Sequence, residues 1–268
     1  MAIFNPLGFW YVGNLYDSSD IAYWIANNSS IIDEGNFVNY ILGQVLISKS
    51  EKQIIFYDIW ANTGYFGILA KTLAKVHVET HFFEPLKVHT DCINQSIYLN
   101  RLEEGSYIHE IGLGKENAQM TFYVAWSWST LLSEFSGSEI TWTCTIDVRN
   151  LSQYQKEKSF WIPDFVKIDV EGNEYDVILW GLSLFEEAKP VLYVEIAKDL
   201  KNIWRDFINK NFDDIFISLQ NIDYTSFCVS DDYKSVSKFL PWQENSGVHM
   251  YLFLHPIKHT HIISQYEN

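Results

Sequence analysis

Short apolar runs alternate with amphipathic segments from residue 54 onward, and this alternation constrains the fold more than any other feature of the chain. The run IIFYDI at residues 54–59 is continuously β-branched and aromatic, as expected of a strand buried on both faces. Apolar residues at three- to four-residue spacing predict helices over 64–76 and 86–99. Strands are expected over 78–84 and 106–113. Strands and helices in this order predict a parallel sheet with right-handed crossovers.

The rest of the chain continues this pattern after a less regular middle. Further strands are expected at 120–126, 140–148, 164–170, 190–196, 214–220 and 249–255, the first two as an antiparallel excursion. Helices are expected over 174–184 and 200–211, and residues 221–247 as a long loop or cover. The predicted fold class is α/β, with a mostly parallel twisted sheet flanked by helices.

The first fifty residues show no strand alternation and predict helices instead. Apolar residues within 20–32 fit a short amphipathic helix, and Asp33 begins a second one. We therefore expect a helical N-terminal cap over 1–50, one α/β domain over 51–257 and a C-terminal tail over 258–268. The chain beyond His255 is expected to be frayed.

The excess of acidic over basic side chains limits the classes of partner that this chain is expected to bind. Its 268 residues include 19 basic and 34 acidic side chains, for a formal net charge of −15, and 47% are hydrophobic. That apolar content supports a core and excludes disorder as the main state. The basic residues are scattered singly, so we expect neither nucleic acid nor an anionic membrane surface as a partner.

The spacing of the cysteines and the lack of long apolar runs predict the cellular compartment of the protein. Cys92, Cys144 and Cys228 are widely spaced and form no CxxC pair, which favours free thiols in a reducing cytoplasm. The N-terminus lacks the basic start and apolar run of a signal peptide, and no segment approaches the ~20 apolar residues of a membrane span. We therefore expect a soluble cytoplasmic protein. The histidines show no ligand spacing, so no metal site is expected.

Ligands of doubly wound sheets bind outside the carboxyl ends of the strands. The candidate residues at these positions are Asp58, Trp60, Asn62 and Gly64 after the first strand, Glu84 at the end of the second, Gly112 after the third, and Asp169 and Glu171 after the fourth. Each acid also has a structural explanation. Asp58 would favour a helix N-terminus, and Glu84 could be a solvated loop acid. Asp169 and Glu171 could pair with Lys167 or cap the helix that follows.

The chemistry of these positions favours a cationic ligand that carries a ribose. Glu84 lies about twenty residues past the first loop, where a carboxylate suits both hydroxyls of a ribose. GxGxxG and Walker A motifs are absent, and Asp58 would repel a pyrophosphate. S-adenosylmethionine (SAM) has an ammonium, a sulfonium and a ribose but no phosphate, so we expect SAM as the cofactor.

Three segments together resemble the FkbM family of SAM-dependent methyltransferases. They are Asp58-x-x-Ala61-Asn62-Thr63-Gly64-Tyr65-Phe66, Phe83-Glu84-Pro85 and Lys167-Ile168-Asp169-Val170-Glu171-Gly172-x-Glu174, the last being the most specific. The resemblance covers roughly Ile54 to Ile196. It implies a Rossmann-like methyltransferase fold over 51–257, with SAM at the carboxyl edge of the sheet. It also implies methylation of hydroxyls on sugars and polyketide or peptide natural products, and in some members of nitrogen in peptides.

Trp60 departs from the family's D-x-G-A-N-x-G pattern, because it stands where the first glycine belongs. That glycine lets the backbone pass close to the methionine part of SAM. The indole must therefore point away from SAM or fill its site. We expect a tolerated change. The alternative is a non-catalytic binding protein that keeps the fold.

The residue roles follow from these positions. The predicted cofactor-binding residues are Asp58, Trp60, Asn62, Gly64, Glu84, Gly112 and Asp169. Asp169 or Glu171 is the predicted general base toward the acceptor. An acidic site would repel a carboxylate acceptor, so we expect O-methylation of a small molecule, sugar or natural product, with peptide N-methylation as the alternative.

Overall fold

The computed structural model describes residues 2–5, 8–14, 21–27, 30–49, 53–73, 77–125, 129–133, 140–200, 207–240 and 247–267. In chain order its elements are β1 (Ala2–Phe4), β2 (Tyr11–Gly13), α1 (Ile21–Asn27), α2 (Ser30–Ile47), β3 (Gln53–Ile59), α3 (Tyr65–Leu73), β4 (His77–Phe83), α4 (Lys87–Asn100), β5 (Ser106–His109), β6 (Gly112–Leu113), β7 (Ala118–Ala125), β8 (Ile140–Arg149), α5 (Leu151–Lys158), β9 (Phe165–Ile168), α6 (Glu174–Ala188), β10 (Val191–Ala197), α7 (Phe212–Gln220), β11 (Thr225–Val229), β12 (Val236–Lys238), β13 (Val248–Leu254) and α8 (Thr260–Ile263).

Eight of these strands form the main sheet, in the order β12-β11-β13-β10-β9-β3-β4-β5. The strands from β10 to β5 are parallel to one another, and β13 pairs antiparallel with both β10 and β11. The first parallel strand, β3, lies between β4 and β9, so strand order reverses beside it. This confirms the predicted Rossmann-like α/β fold and places the topological switch point at the carboxyl ends of β3 and β9.

Alternate residues of β3 pack on opposite faces of the sheet, as the two-residue period of a strand requires. Ile54 and Phe56 belong to a core shared with α2, α3 and α4. Ile55 and Tyr57 belong to the core on the side of α6 and α7. Because helices cover both faces, this strand is a continuous apolar run in the sequence.

The N-terminal segment contains strands as well as helices. Helices α1 and α2 are present as expected, but β1 and β2 pair antiparallel ahead of them. Tyr11 and Val12 of β2 are buried, and the backbone N–H of Val12 donates to Ser96 Oγ at 3.0 Å. The interpretation of residues 1–50 as purely helical is therefore wrong, because three-residue strands are too short to show alternation.

A second, three-stranded sheet has the order β6-β8-β7, with β7 and β8 antiparallel. The antiparallel excursion is thus confirmed for its described residues; residue 126 of the predicted strand lies outside them. The predicted single strand over 106–113 is wrong, because it divides into β5 of the main sheet and β6 of the small sheet. Helix α5 was not predicted.

The predictions for the segment before β13 fail in two places. The strand expected at 214–220 is helix α7, whose buried residues Phe212, Ile215, Phe216 and Leu219 recur at helical spacing. In the helix expected over 200–211, residues 201–206 lie outside the described ranges, and Ile208 instead forms a β-bridge with Asp199. The expected loop over 221–247 contains β11 and β12, while its residues 241–246 lie outside the described ranges.

The C-terminal segment packs on the molecule. Helix α8 buries Ile262 and Ile263, and the His259 N–H donates to the His255 carbonyl oxygen at 2.8 Å. The expectation of a frayed tail beyond His255 is therefore wrong for residues 256–267. Within the described ranges, no helix is both long and apolar enough to cross a membrane.

Candidate functional site at the carboxyl edge of the sheet

The loop after β3 is fixed against the end of β4 by its backbone. The N–H groups of Trp60 and Ala61 both donate to the Phe83 carbonyl oxygen, at 2.9 and 3.0 Å. Trp60 has a left-handed φ of 67°, a conformation that glycine adopts without strain. Gly64 has a φ of 84°, and a Cβ there would lie 2.8 Å from Ile93 Cγ1 of α4. Residue 64 must therefore be glycine to avoid a steric clash with Ile93. Residue 60 is a tryptophan in a backbone conformation that glycine would adopt with less strain.

Asp58 is fully buried below this loop. Its Oδ2 accepts a hydrogen bond from the Gly67 N–H at 3.0 Å, in the first turn of α3, whereas its Oδ1 has no hydrogen-bond partner among the described residues. Burial raises the pKa of Asp58 to about 7, against the opposing charge of Lys167. The helix-terminus explanation of this acid accounts for one oxygen and leaves the other available.

Glu84 is also buried, but both its oxygens are occupied. Oε2 accepts from the Asn62 N–H at 2.9 Å, and Oε1 accepts from the Leu86 N–H at 2.9 Å. Oε1 also lies 3.1 Å from His89 Nδ1. A carboxylate accepts about four hydrogen bonds, so little capacity is left for a ribose diol in this arrangement. Glu84 therefore joins the loop after β3 to the N-terminus of α4.

The Trp60 side chain lies between the first loop and the small sheet. Its Nε1 donates to the Ser129 carbonyl oxygen at 3.2 Å, and its ring contacts Phe122 edge-on, with centroids 5.3 Å apart. A Cβ on Gly112 would lie 3.8 Å from Trp60 Cζ3. The structure thus brings Trp60 and Gly112 together, and the indole occupies the space beside the glycine predicted to line the cofactor site.

The fourth parallel strand ends in an ion pair. Lys167 of β9 is buried, and its Nζ lies 2.7 Å from Asp169 Oδ2. Burial opposes the lysine charge, but Asp169, Glu34 and Asp58 together raise the pKa of Lys167 above its usual value. The structural explanation of Asp169 as the partner of Lys167 is therefore correct, although Asp169 Oδ1 has no hydrogen-bond partner among the described residues.

Glu171 follows in a tight turn at the same edge. Its φ is 54°, and its carbonyl oxygen accepts a hydrogen bond from Thr130 Oγ1 at 2.7 Å. The turn ends where the Gly172 N–H donates to Glu174 Oε1 at 2.7 Å, at the start of α6. Burial raises the pKa of Glu174 to about 8, so this acid binds the turn backbone and is protonated over much of the neutral range.

A third acid, Glu195, completes a cluster with Asp169 and Glu171. One carboxylate oxygen of each lies within 4.8 Å of the others. Glu195 follows Val194, which pairs with Ile168 of β9, and this register sets it beside Asp169. Glu195 is not among the residues predicted from the sequence. The available signal was an acidic residue inside the otherwise apolar strand VLYVEI.

The acids of this cluster share a proton. Burial and the charges of Asp169 and Glu171 raise the pKa of Glu195 well above its usual value. Burial also opposes ionisation of Asp169, but Lys167 and a hydrogen bond from Glu195 lower the pKa of Asp169 below its usual range. Of the two acids, the Glu195 carboxyl is therefore the proton donor of their hydrogen bond and the Asp169 carboxylate is the acceptor. Among the described residues only this cluster has ligand atoms close enough for a metal ion, but Lys167 and this proton already offset its charge.

The family model described as Methyltransferase FkbM domain matches residues 58–226, more than half of the chain. The chain therefore belongs to the FkbM methyltransferase family, a family of SAM-dependent methyltransferases, as its motifs predict. No curated protein matches the sequence.

Solved structures resemble the chain at low identity. A methyltransferase FkbM from Methylobacillus flagellatus KT is 14% identical, with a TM-score of 0.48 over 87% of this chain and 60% of that one. An O-methyltransferase from Bacillus cereus in complex with SAH is 14% identical, with a TM-score of 0.45 over 82% and 79%. M. jannaschii TYW2 in complex with AdoMet is 11% identical, with a TM-score of 0.45 over 94% and 85%. The chain thus spans less than two thirds of the Methylobacillus protein.

Proposed function

We propose that this protein transfers a methyl group from SAM to a hydroxyl of a small molecule, sugar or natural product. The observation that carries the proposal is the cluster of Asp169, Glu171 and Glu195 at the carboxyl edge, beside the topological switch point. The cluster combines an ionised carboxylate with a protonated one, and the first of these can accept a proton from an acceptor hydroxyl.

The charges at this edge fit SAM better than a nucleotide phosphate. The acids there outnumber the one buried lysine, Lys167, which is already paired with Asp169. Asp58 Oδ1 is buried without a hydrogen-bond partner among the described residues, so it is an available acceptor for a cationic group. The proposed cofactor-binding residues are Asp58, Trp60, Asn62, Gly64, Glu84, Gly112 and Asp169.

Glu84 and Trp60 would contribute to this site in different ways. Glu84 would bind SAM only if the ribose hydroxyls replaced some of its three present donors; as it stands, it shapes the loop at Asn62. The Trp60 indole lies next to Gly112, so an adenine ring placed there would lie against the indole. If the adenine stacked on the indole, Trp60, which replaces the family's glycine, would itself contact the cofactor.

The chain's own residues would align the acceptor and take its proton. Bound SAM supplies an electrophilic methyl group. Asp169 or Glu171 takes the hydroxyl proton as the oxygen is methylated, and Glu195 keeps the Asp169 carboxyl in place through their hydrogen bond. Placing the two reactants in line is the larger contribution that a protein makes to such a transfer. The same acids would serve a peptide nitrogen, which is the alternative acceptor.

A second candidate function rests on Trp60. Its indole is held by Ser129 and Phe122 in the space beside Gly112, and a chain in which it stayed there would keep the fold and lose the cofactor. Such a protein would be a non-catalytic binding protein. This candidate and the methyltransferase differ in one measurable property, which is the affinity for SAM.

Calorimetric titration of SAM into the parent protein and into Trp60→Gly separates the two candidates. We expect the parent to bind SAM and Trp60→Gly to bind it at least as tightly, because glycine adopts the left-handed φ without strain. Binding by Trp60→Gly alone would identify the parent as the non-catalytic protein. Binding by neither would remove SAM from the proposal.

The proposed location is the cytoplasm. No disulfide joins Cys92, Cys144 and Cys228, as expected in a reducing compartment. A small-molecule, sugar or peptide natural-product acceptor would reach the carboxyl edge there without crossing a membrane.

A further inference from the structure

A pocket beside β4 and β5 contains polar groups that methyl transfer does not use. It has a volume of about 490 Å³ and lies between β4, β5 and the end of α5. His81 in its wall lies two residues before the end of β4, and His109 is the last residue of β5. None of the residues proposed to bind SAM lines this pocket.

Four side chains of the pocket form one continuous hydrogen-bonded chain. His81 Nε2 lies 3.0 Å from Glu79 Oε1, and His81 Nδ1 lies 3.0 Å from His109 Nε2. His109 Nδ1 in turn lies 3.3 Å from the Tyr154 hydroxyl. The chain therefore runs from a carboxylate on β4, through two imidazoles, to a phenol on α5.

The direction of these hydrogen bonds follows from the protonation states. Burial and neighbouring positive charge lower the pKa of His81 to about 3, and burial with Lys158 lowers that of His109 to about 4, so both rings are neutral. A neutral imidazole has one donor and one acceptor, and a carboxylate only accepts. Each ring therefore donates from Nε2 toward Glu79. The Tyr154 proton is then committed to His109, and its oxygen offers only lone pairs to the pocket.

Aromatic rings surround these acceptors. Tyr107, Tyr154, Phe160 and Trp161 line the pocket, and two of them are largely open to solvent, Trp161 at 68% and Tyr107 at 48%. The Lys158 ammonium lies 5.7 Å from the centroid of the Tyr154 ring. The pocket thus combines four aromatic side chains with one cation and one carboxylate, whose charges offset each other.

We propose that this pocket is a second ligand site, which binds a small neutral ring compound with hydroxyl donors on its edge. The flat faces of the ring stack on Trp161 and Tyr107, and its hydroxyls donate to Tyr154 and Glu79. An anionic ligand is repelled by Glu79. An apolar ring without donors forms neither of these hydrogen bonds to Tyr154 and Glu79, which costs binding energy. The proposal does not depend on methyl transfer.

The test uses two probes and one matched pair of variants. Saturation-transfer NMR and calorimetry are carried out with methyl β-D-glucopyranoside and with catechol, at millimolar concentration. We expect at least one probe to bind, and the pair distinguishes a sugar from a phenolic ring. Trp161→Ala should weaken binding about three- to tenfold, the scale of one lost aromatic contact. Trp142→Ala is the control, because Trp142 is similarly exposed, at 50%, on the small sheet.

Tyr154→Phe tests the hydrogen-bonded chain itself. It keeps the ring and removes the acceptor oxygen, so we expect binding to weaken about three- to tenfold. The side-chain nitrogen shifts of His81 and His109 should show the Nε2–H tautomer in the parent protein. Binding of neither probe, or an equal affinity in the parent and Trp161→Ala, would overturn the proposal.

Discussion

Lys167 is the residue on which the electrostatics of the carboxyl edge depend. Its buried ammonium is paired with Asp169, faces Glu34 and Asp58 as well, and lies 4.5 Å from the centroid of the Phe66 ring. Without this charge, burying so many carboxylates together would be unfavourable. Lys167, which the sequence motif alone did not single out, is thus the counter-ion of the site.

Lys167→Met should destabilise the fold by up to about 3–5 kcal/mol, because it leaves the half-buried charge of Asp169 uncompensated beside the buried Glu34 and Asp58. The measurement is chemical denaturation at neutral pH. Adding Asp169→Asn should recover part of the loss, since it removes that charge. Lys238→Met, at an exposed lysine of β12, should change the free energy of unfolding by no more than about 0.5 kcal/mol. An equal effect of the two lysine substitutions would show that the ion pair adds nothing.

Asp169→Asn or Glu171→Gln should slow methyl transfer by about 100-fold or more if that residue is the base. Either amide keeps the shape of the side chain and loses its affinity for a proton, so the affinity for SAM should change much less. The measurement is single-turnover methyl transfer to an acceptor hydroxyl, with SAM affinity determined in parallel. Parental rates in both variants would leave these acids with a structural role and attribute the rate to alignment of the reactants.

Some residues of the carboxyl edge can be predicted from the sequence, and others cannot. Asp58, Asp169 and Glu171 stand at strand ends, so position along the chain is enough to select them as candidates. Glu195 lies inside a strand and reaches the cluster only through its register with β9, which sequence spacing does not report. The use of both Glu84 oxygens by loop donors likewise depends on how two loops meet.

At the scale of elements, α7 is the clearest case of a misleading local pattern. The run DIFISLQ has the β-branched and aromatic content of a strand, yet its buried residues recur at helical spacing when Phe212 is included. In a strand, Ile215 and Ile217 would share one face. In the helix, Ile215 is buried and Ile217 is 48% exposed.

Ile215→Ala should therefore destabilise the protein by about 2–5 kcal/mol, the cost of a cavity in a packed core. Ile217→Ala, which makes the same chemical change two residues away, should cost less than about 1 kcal/mol because its side chain is largely solvated. Denaturant unfolding of both variants gives the comparison. Equal losses from the two substitutions would fit a strand and contradict the helix.

Strands β3, β9, β10 and β13 of the main sheet were predictable because each buries a largely apolar run between two layers of helices. The break between β5 and β6 was not, because Glu110 and Ile111 redirect the chain into another sheet within a segment short enough to fit one strand. Helix α5 was not predicted either, although its N-terminus carries a recognisable capping residue. Asn150 caps it by accepting from the Gln153 N–H at 3.0 Å.

The whole molecule combines a large negative charge with buried groups whose pKa values shift in opposite directions. Burial raises the pKa of Glu34 and Asp58 to about 7 and that of Glu174 to about 8. Burial also lowers the pKa of His81 and His259 to about 3. At a pH between the folded and unfolded pKa values, these acids are protonated in the folded state and ionised in the unfolded state. The two histidines are neutral in the folded state and protonated in the unfolded state over their own interval.

These two sets act over different ranges of pH. Between about pH 4.5 and 6.5, raising the pH releases protons from unfolded histidines, which adds stability, and the acids oppose that gain. Above about pH 6.5 the unfolded histidines become neutral, so the acids dominate until Lys71, whose pKa burial lowers to about 8, begins to release its proton. The folded state still loses protons there while the unfolded state has none left to lose. Stability should therefore fall between about pH 6.5 and 8.

We expect the free energy of unfolding to fall by about 1–3 kcal/mol over that interval, since each proton linked to unfolding contributes about 1.4 kcal/mol per pH unit. Denaturant unfolding at several pH values gives the slope. Glu174→Gln should flatten it, because the amide oxygen still accepts from the Gly172 N–H and no proton is released. A free energy that stayed constant or rose between pH 6.5 and 8 would mean that the buried acids are already ionised at neutral pH, and that the carboxyl edge is more negative than its contacts indicate.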